Sequence, residues 1–352
     1  MIVLDLENVR FTLENDEVQT TSKKKVPPYL YKYYSLDENN YKSLRDKTLF
    51  FSHPHHLNDV MDGSFLLWDL DHFEKEFKKD TKNTNLNLFY ERLKFVKCFT
   101  KNIGILSLSS DSINHLMWPH YTKEKGYCLE FNTSNLLNHL NNLKDDNVIE
   151  IYFYPVSYQS YLSQIDFESI STKHQTDKKI TRNANLAILY AHSIKDRSWK
   201  YEDEWRFLMR NSNFEYVNAK AEFSSIIKTK NEIEEENKKR CISIGNDIIE
   251  KIILGQFFFS TDRFAKMEVT LNDIEIFYFN KETEKNKNQL KILKKFLKIL
   301  FEQYNQKIYL IDNYIDQNKE AKRDIKYKVE ILEVTESDIK VKRTLGSFKV
   351  NP

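Results

Sequence analysis

Glycine and proline are scarce in this chain, with 6 of each among 352 residues. Tight hairpins depend on residues that adopt positive φ or fix a turn, so a loop-dominated or all-β hairpin design is disfavoured. Helices interspersed with short strands are the alternative. The length is enough to bury a full core and suggests two domains. With 24 Phe and 20 Tyr, large rings must fill much of that core. Short strands and few long apolar runs favour α+β, with a mixed or antiparallel central sheet and surrounding helices, over a doubly wound parallel sheet.

Several function classes are disfavoured. The net charge of +2 is too balanced to imply a nucleic-acid or membrane partner. No apolar run approaches the roughly 18 residues needed to span a bilayer. The start, Met1-Ile-Val-Leu-Asp5-Leu-Glu7, carries acids where a secretory leader needs a basic end. Cys98, Cys128 and Cys241 are widely spaced in apolar surroundings, as expected of thiols in a reducing compartment. The expected location is the cytoplasm. Neither a glycine-rich phosphate loop nor a nucleophile elbow occurs.

Along the chain, residues 1–28 read as an N-terminal arm, 29–280 as the α+β core, and 281–352 as a long helix with a terminal hairpin. Tyr29–Tyr34 and 48–52 read as strands, with Asp37 capping a short helix between them. Helical spacing marks 83–94, and strands are expected at 95–100 and 103–109. A short helix at 112–121, a strand at 126–131, a helix capped by Thr133 to 143, and a strand at 148–158 follow. Residues 159–180 are polar and irregular, a plausible insertion, and helix returns at 182–195. Near the end, Leu293, Leu297, Leu300, Tyr304, Ile308, Ile311 and Ile315 recur at steps of three and four. That predicts one helix of about 35 residues after Lys287. Its stripe must be buried in cis, or against a second copy or partner through residues 288–316; a double step of four favours cis docking.

The sharpest local pattern is Trp199-Lys-Tyr-Glu-Asp-Glu-Trp-Arg206. If it is extended, Trp199, Tyr201, Trp205 and Phe207 share one face, and Lys200, Glu202, Glu204 and Arg206 the other. Two acids about 7 Å apart on one face suit glycosyl transfer through an oxocarbenium-like state. A solvated strand with cross-strand ion pairs is the plainer reading. Ser107 and Ser109 share a face of their strand and could hold a carboxylate. His53, His55, Asp59 and Asp62 raise a metal site, which Pro54 and the irregular spacing weaken; a loop tied by Asn58 and Asp59 to its own backbone is preferred, and no metal is expected. Trp118 and Tyr121 suit either a core or the wall of a pocket for a planar ring.

In order, Leu30-Tyr-Lys-Tyr33, Leu49-Phe-Phe-Ser52, Asn58-Asp59 with Asp62, Ser107-Leu-Ser109, Met117-Trp118 with His120-Tyr121, Gly126-Tyr-Cys-Leu-Glu-Phe131 and Tyr201-Glu-Asp-Glu-Trp-Arg206 resemble a bacterial family known as domain of unknown function 2971. The resemblance covers roughly residues 29–275 and departs at Val60-Met61. The motif order is also similar to that of ADP-ribosyltransferases. That similarity implies NAD as co-substrate, with Glu204 on the nicotinamide-ribose hydroxyl and Glu202 orienting an acceptor, protein or nucleic acid. Lys32, Tyr33, Ser107, Ser109, Trp118, Tyr121 and Arg206 would line the NAD site. Lys32 stands where those enzymes have Arg or His. Such an enzyme could be a bacterial toxin or antiviral defence effector. Two other readings stay open: a binding or sensing module assembled through the C-terminal helix, and a metal-dependent nuclease or hydrolase using Glu204 with the histidine loop.

Overall fold

The computed structural model describes residues 2–14, 17–59, 61–67, 100, 102–143, 147–165, 177–214, 229–245, 247–316 and 318–346. The expected helix at 83–94, the strand at 95–99, residues 166–176 and Cys98 lie outside them. Two compact units interleave along the chain. One comprises 1–26, 49–108 and 140–242; the other comprises 27–48, 109–139 and 243–352. The class is α+β, and antiparallel pairings dominate.

In the first unit the N-terminal residues do not form an arm. Ile2–Asp5, Val9–Glu14 and Glu17–Ser22 pair as an antiparallel sheet, and Val9 and Phe11 are fully buried. Alternation in Val9-Arg-Phe11 is the cause: one face of the strand must be covered. Phe11 meets Tyr154 edge to face at 5.4 Å. Strands Ile103–Ser109, Glu204–Asn211 and Val148–Pro155 lie side by side in that order, the last two antiparallel with Trp205 opposite Pro155. Helix Asp177–Ser193 carries the run Leu186-Ala-Ile-Leu-Tyr-Ala191, buried at every position. A helix apolar on all sides belongs inside a core.

The second unit is one broad sheet. Its strands run Phe264–Val269, Ile274–Phe279, Asp338–Leu345, Ala321–Val334, Ile308–Ile315, Ile249–Leu254, Tyr127–Asn132 and Tyr29–Tyr34. Among these pairs, Ile249–Leu254 and Ile308–Ile315 run parallel, and the rest antiparallel. Asp37 caps helix Glu38–Arg45 as expected, accepting from the Asn40 amide at 2.9 Å.

The C-terminal helix is shorter than its stripe suggests. It spans Lys287–Gln303, and Ile308–Ile315 is a strand. Ile308-Tyr-Leu-Ile311 is β-branched and aromatic, and Ile308 to Leu310 register against Ile252 to Leu254. Sheet pairing outweighs a spacing that fits either periodicity. The helix buries Leu290, Leu293, Phe296, Leu297 and Leu300 within the unit, with Phe296 4.8 Å from Tyr127. The terminal hairpin is present and joins this sheet. Two smaller corrections concern helix starts. Asn132, not Thr133, caps Thr133–Asn141, accepting from Asn135 N at 3.1 Å. The expected helix at 112–121 reduces to a π-turn, Trp118–Thr122.

Candidate functional site: a buried carboxylate, lysine and arginine cluster

The segment 199–206 is not extended throughout. Arg197–Glu202 forms a 3-10 turn whose cap, Asp196, accepts from Ser198 N at 2.9 Å. Asp203 then adopts φ 41°, and the strand begins only at Glu204. Aspartate tolerates the left-handed region better than most residues, which lets the chain reverse here. The expected single aromatic face is therefore split. Trp205 and Phe207 pack on Phe153, with ring centroids at 5.1 and 4.5 Å, whereas Trp199 and Tyr201 lie half-buried on the turn.

Strand alternation thus cannot place Glu202 beside Glu204, yet both meet one ammonium. Lys195 Nζ donates to Glu202 Oε2 at 2.5 Å and to Glu204 Oε2 at 3.3 Å. It stands 3.9 Å from Asp62 Oδ2 and 4.7 Å from the centre of the Trp199 ring. Arg206 completes the cluster. Its Nε donates to Glu204 Oε1 at 2.7 Å and Nη2 to Glu204 Oε2 at 2.9 Å. Nη1 reaches Asp62 Oδ1 and the His192 carbonyl at 2.7 and 2.8 Å, and Nη2 reaches Asp62 Oδ2 at 2.5 Å. All five guanidinium donors are engaged within the protein. Arg206, expected to line an NAD site, spends these donors on Glu204, Asp62 and the His192 carbonyl. No member of the cluster is more than 6% exposed.

Three carboxylates surround two cations, so one formal negative charge must be accommodated without water. Burial pushes the Asp62 carboxyl up, against the pull of the Arg206 fork. Burial would also raise Glu204, but Arg206 and Lys195 outweigh it and hold Glu204 well below the usual carboxylate range. The same balance raises Lys195: desolvation would lower it, and Glu204, Glu202 and Asp62 overcome that. The cluster thus keeps Glu204 ionised, and of the two carboxyls on Arg206 it is Asp62 that holds a proton more readily.

Other expected site residues divide between the units. Ser107 lies in the first unit, and its hydroxyl hydrogen-bonds the Glu204 carboxylate. Lys32, Tyr33, Ser109, Trp118 and Tyr121 belong to the second. Ser109 closes a turn, its Oγ accepting from Asp111 N at 3.2 Å. Tyr33 donates to the Asp111 carbonyl at 2.6 Å and meets Trp118 edge-on at 5.2 Å. Trp118 is fully buried, with Nε1 donating to Ser112 O at 2.8 Å, so it is core. Tyr121 lies against His120 at 4.8 Å, and Lys32 Nζ is 5.6 Å from the centre of the Tyr34 ring. Asp59 ties its own loop, its Oδ1 accepting from Met61 N at 3.0 Å. Among the described residues no group of three His, Cys, Asp or Glu is placed to hold a metal. No helix among them is long and apolar enough to cross a membrane.

Sequence reasoning missed Lys195. Its signal was a lone lysine following the apolar run that ends at Ile194, a place where a cation must find partners.

Fold and site together define an α+β protein with an enclosed carboxylate, lysine and arginine network. Residues 117–207 match the model of the family described as "Protein of unknown function (DUF2971)". The match includes Lys195, Glu202, Glu204 and Arg206, and stops short of Asp62 and Ser107. No curated protein and no solved structure matches the chain.

Proposed function

We propose that the chain is an NAD-consuming enzyme of the ADP-ribosyltransferase or NAD glycohydrolase kind, with Glu202 and Glu204 as its acids. The observation that carries this reading is their convergence on a single ammonium, at 2.5 and 3.3 Å, with the Ser107 hydroxyl on Glu204. Breaking the bond from ribose C1′ to the nicotinamide nitrogen leaves the electron pair on nicotinamide and positive charge on the ribose. An ionised carboxylate stabilises that charge, and Glu204 is held ionised. Glu202 would take the proton of the attacking hydroxyl or water.

Lys195 bridges the two acids, so in this scheme substrate reaches them only after Lys195 and the Arg197–Glu202 turn move aside. Arg206 is a positioning residue in this scheme. The acceptor would be a protein or nucleic acid, and the role that of a toxin or antiviral effector.

A second reading, a non-catalytic binding module, is favoured by the saturation of Arg206 and the burial of the whole cluster. There the network is an internal fastening. The two separate in one experiment: the purified chain is incubated with NAD and free nicotinamide is measured by chromatography. The enzyme releases nicotinamide, and Glu202→Gln loses the release while melting within a few degrees of the parent. Absence of release by the parent chain, or undiminished release by the variant, overturns the first reading.

A further inference from the structure

The sheet of the second unit ends at strand Phe264–Val269. Among the described residues, that strand pairs on one side only, with Ile274–Phe279. The Thr270 amide donates across the hairpin to Ile274 O at 2.9 Å. Antiparallel pairs alternate between hydrogen-bonded and non-bonded, so Glu268 opposite Ile276 is bonded and Val269 and Met267 are not. The backbone N–H and C=O groups of Met267 and Val269 therefore point away from the sheet. Their side chains are open as well: Met267 is 50% exposed, Val269 57%, and Leu271 in the adjoining turn fully so. An uncovered edge with apolar side chains is a template for another strand.

Lys266 and Glu268 flank Met267 on one face of the strand and pair with each other along it. If two copies of the strand run antiparallel about a two-fold axis at Met267, residue 266 of one falls opposite residue 268 of the other. Each lysine then faces one glutamate of the other copy, and the axis makes two such pairs. Lys266 and Glu268 occupy the non-bonded pairs, where side chains approach most closely, and Met267 meets its copy in a hydrogen-bonded pair. An isologous interface must be self-complementary, and this hexapeptide is so in charge as well as in backbone direction. Any other register that keeps the outward groups paired brings like charges together or leaves them unmatched.

We infer that strand Phe264–Val269 is a homodimer edge, joining the sheets of two copies of this chain through an antiparallel pairing centred on Met267. This surface is separate from helix Lys287–Gln303, which buries Leu290, Leu293, Phe296, Leu297 and Leu300 within its own unit. It is also independent of any activity at Glu204.

Sedimentation velocity of the full chain over a concentration series tests it. The parent chain sediments as a dimer. Lys266→Glu sets glutamate against glutamate at two places and weakens the dimer about tenfold or more. The double variant Lys266→Glu with Glu268→Lys restores opposite charges and returns the dimer to parental strength. Met267→Cys gives a disulfide-linked dimer on mild oxidation, because Cα atoms of a hydrogen-bonded pair lie about 5.5 Å apart, within disulfide reach. A parent chain that stays monomeric overturns the inference. So does a dimer indifferent to Lys266→Glu, or one the double variant does not recover.

Discussion

Arg206 grips Asp62 through two parallel hydrogen bonds, Nη1 to Oδ1 at 2.7 Å and Nη2 to Oδ2 at 2.5 Å, across 144 residues of chain. The contact ties the loop after His53 to the strand Glu204–Asn211, and neither partner keeps measurable contact with water. Such a pair is weak evidence of net stabilisation, but breaking it strands a buried charge. Arg206→Ala should therefore cost about 3–5 kcal/mol. Arg206→Lys should regain only part of this, since an ammonium lacks the fork that serves both carboxylates. Urea denaturation of the three proteins gives the comparison, and a loss below about 1 kcal/mol for Arg206→Ala would contradict the packing described.

The two carboxyls on Arg206 act in opposite directions on acid stability. Glu204 has a depressed folded-state pKa, so its contribution is present above its unfolded value of 4.5 and is lost as pH falls. Asp62 has a raised one, so it binds protons better in the folded state and favours the fold as pH falls through its raised value and below 3.8. Asp62→Asn removes the opposing contribution and also relieves Glu204 of a neighbouring negative charge. Stability should then fall more steeply below about pH 4.5 than in the parent chain. Denaturation midpoints between pH 3 and 6 show this, and a shallower slope in the variant would refute it.

Gly63 sits at φ 65°, and a Cβ there would come within 2.0 Å of the His192 imidazole. His192 is itself fully buried, so its ring cannot simply move into solvent. Gly63→Ala combines backbone strain of about 1–3 kcal/mol with a steric displacement. Calorimetry should record a melting temperature lower by several degrees.

Cys128 lies on strand Tyr127–Asn132 at 0% exposure, and burial pushes its thiol well above the ordinary value. A thiol that is neither ionised nor accessible does not react. Alkylation of the native chain, read by mass spectrometry, should leave Cys128 unmodified until denaturant is added.

Local chemistry made much of the fold legible. Tyr29–Tyr34 and Ile103–Ser109 have the bounds their alternation and β-branched content indicate, and Asp37 caps the helix it precedes. Ser107, on a strand face suited to holding a carboxylate, hydrogen-bonds that of Glu204. The errors arose where non-local pairing decides. Ile308–Ile315 keeps a helical spacing but pairs with Ile249–Leu254. The N-terminal residues look like an arm until their own sheet closes over Val9 and Phe11.

The octapeptide shows the division most plainly. Its composition alone determined that acids and cations would have to neutralise one another, because such residues cannot be buried unpaired. Which cation serves which acid was decided elsewhere. Lys195 comes from the short strand Ile194–Asp196 that follows a core helix and Asp62 from a loop, while a left-handed Asp203 turns Glu202 off the strand and onto the same ammonium as Glu204. Periodicity describes neighbours along the chain, whereas a desolvated charge is satisfied by whatever the fold brings within about 3 Å.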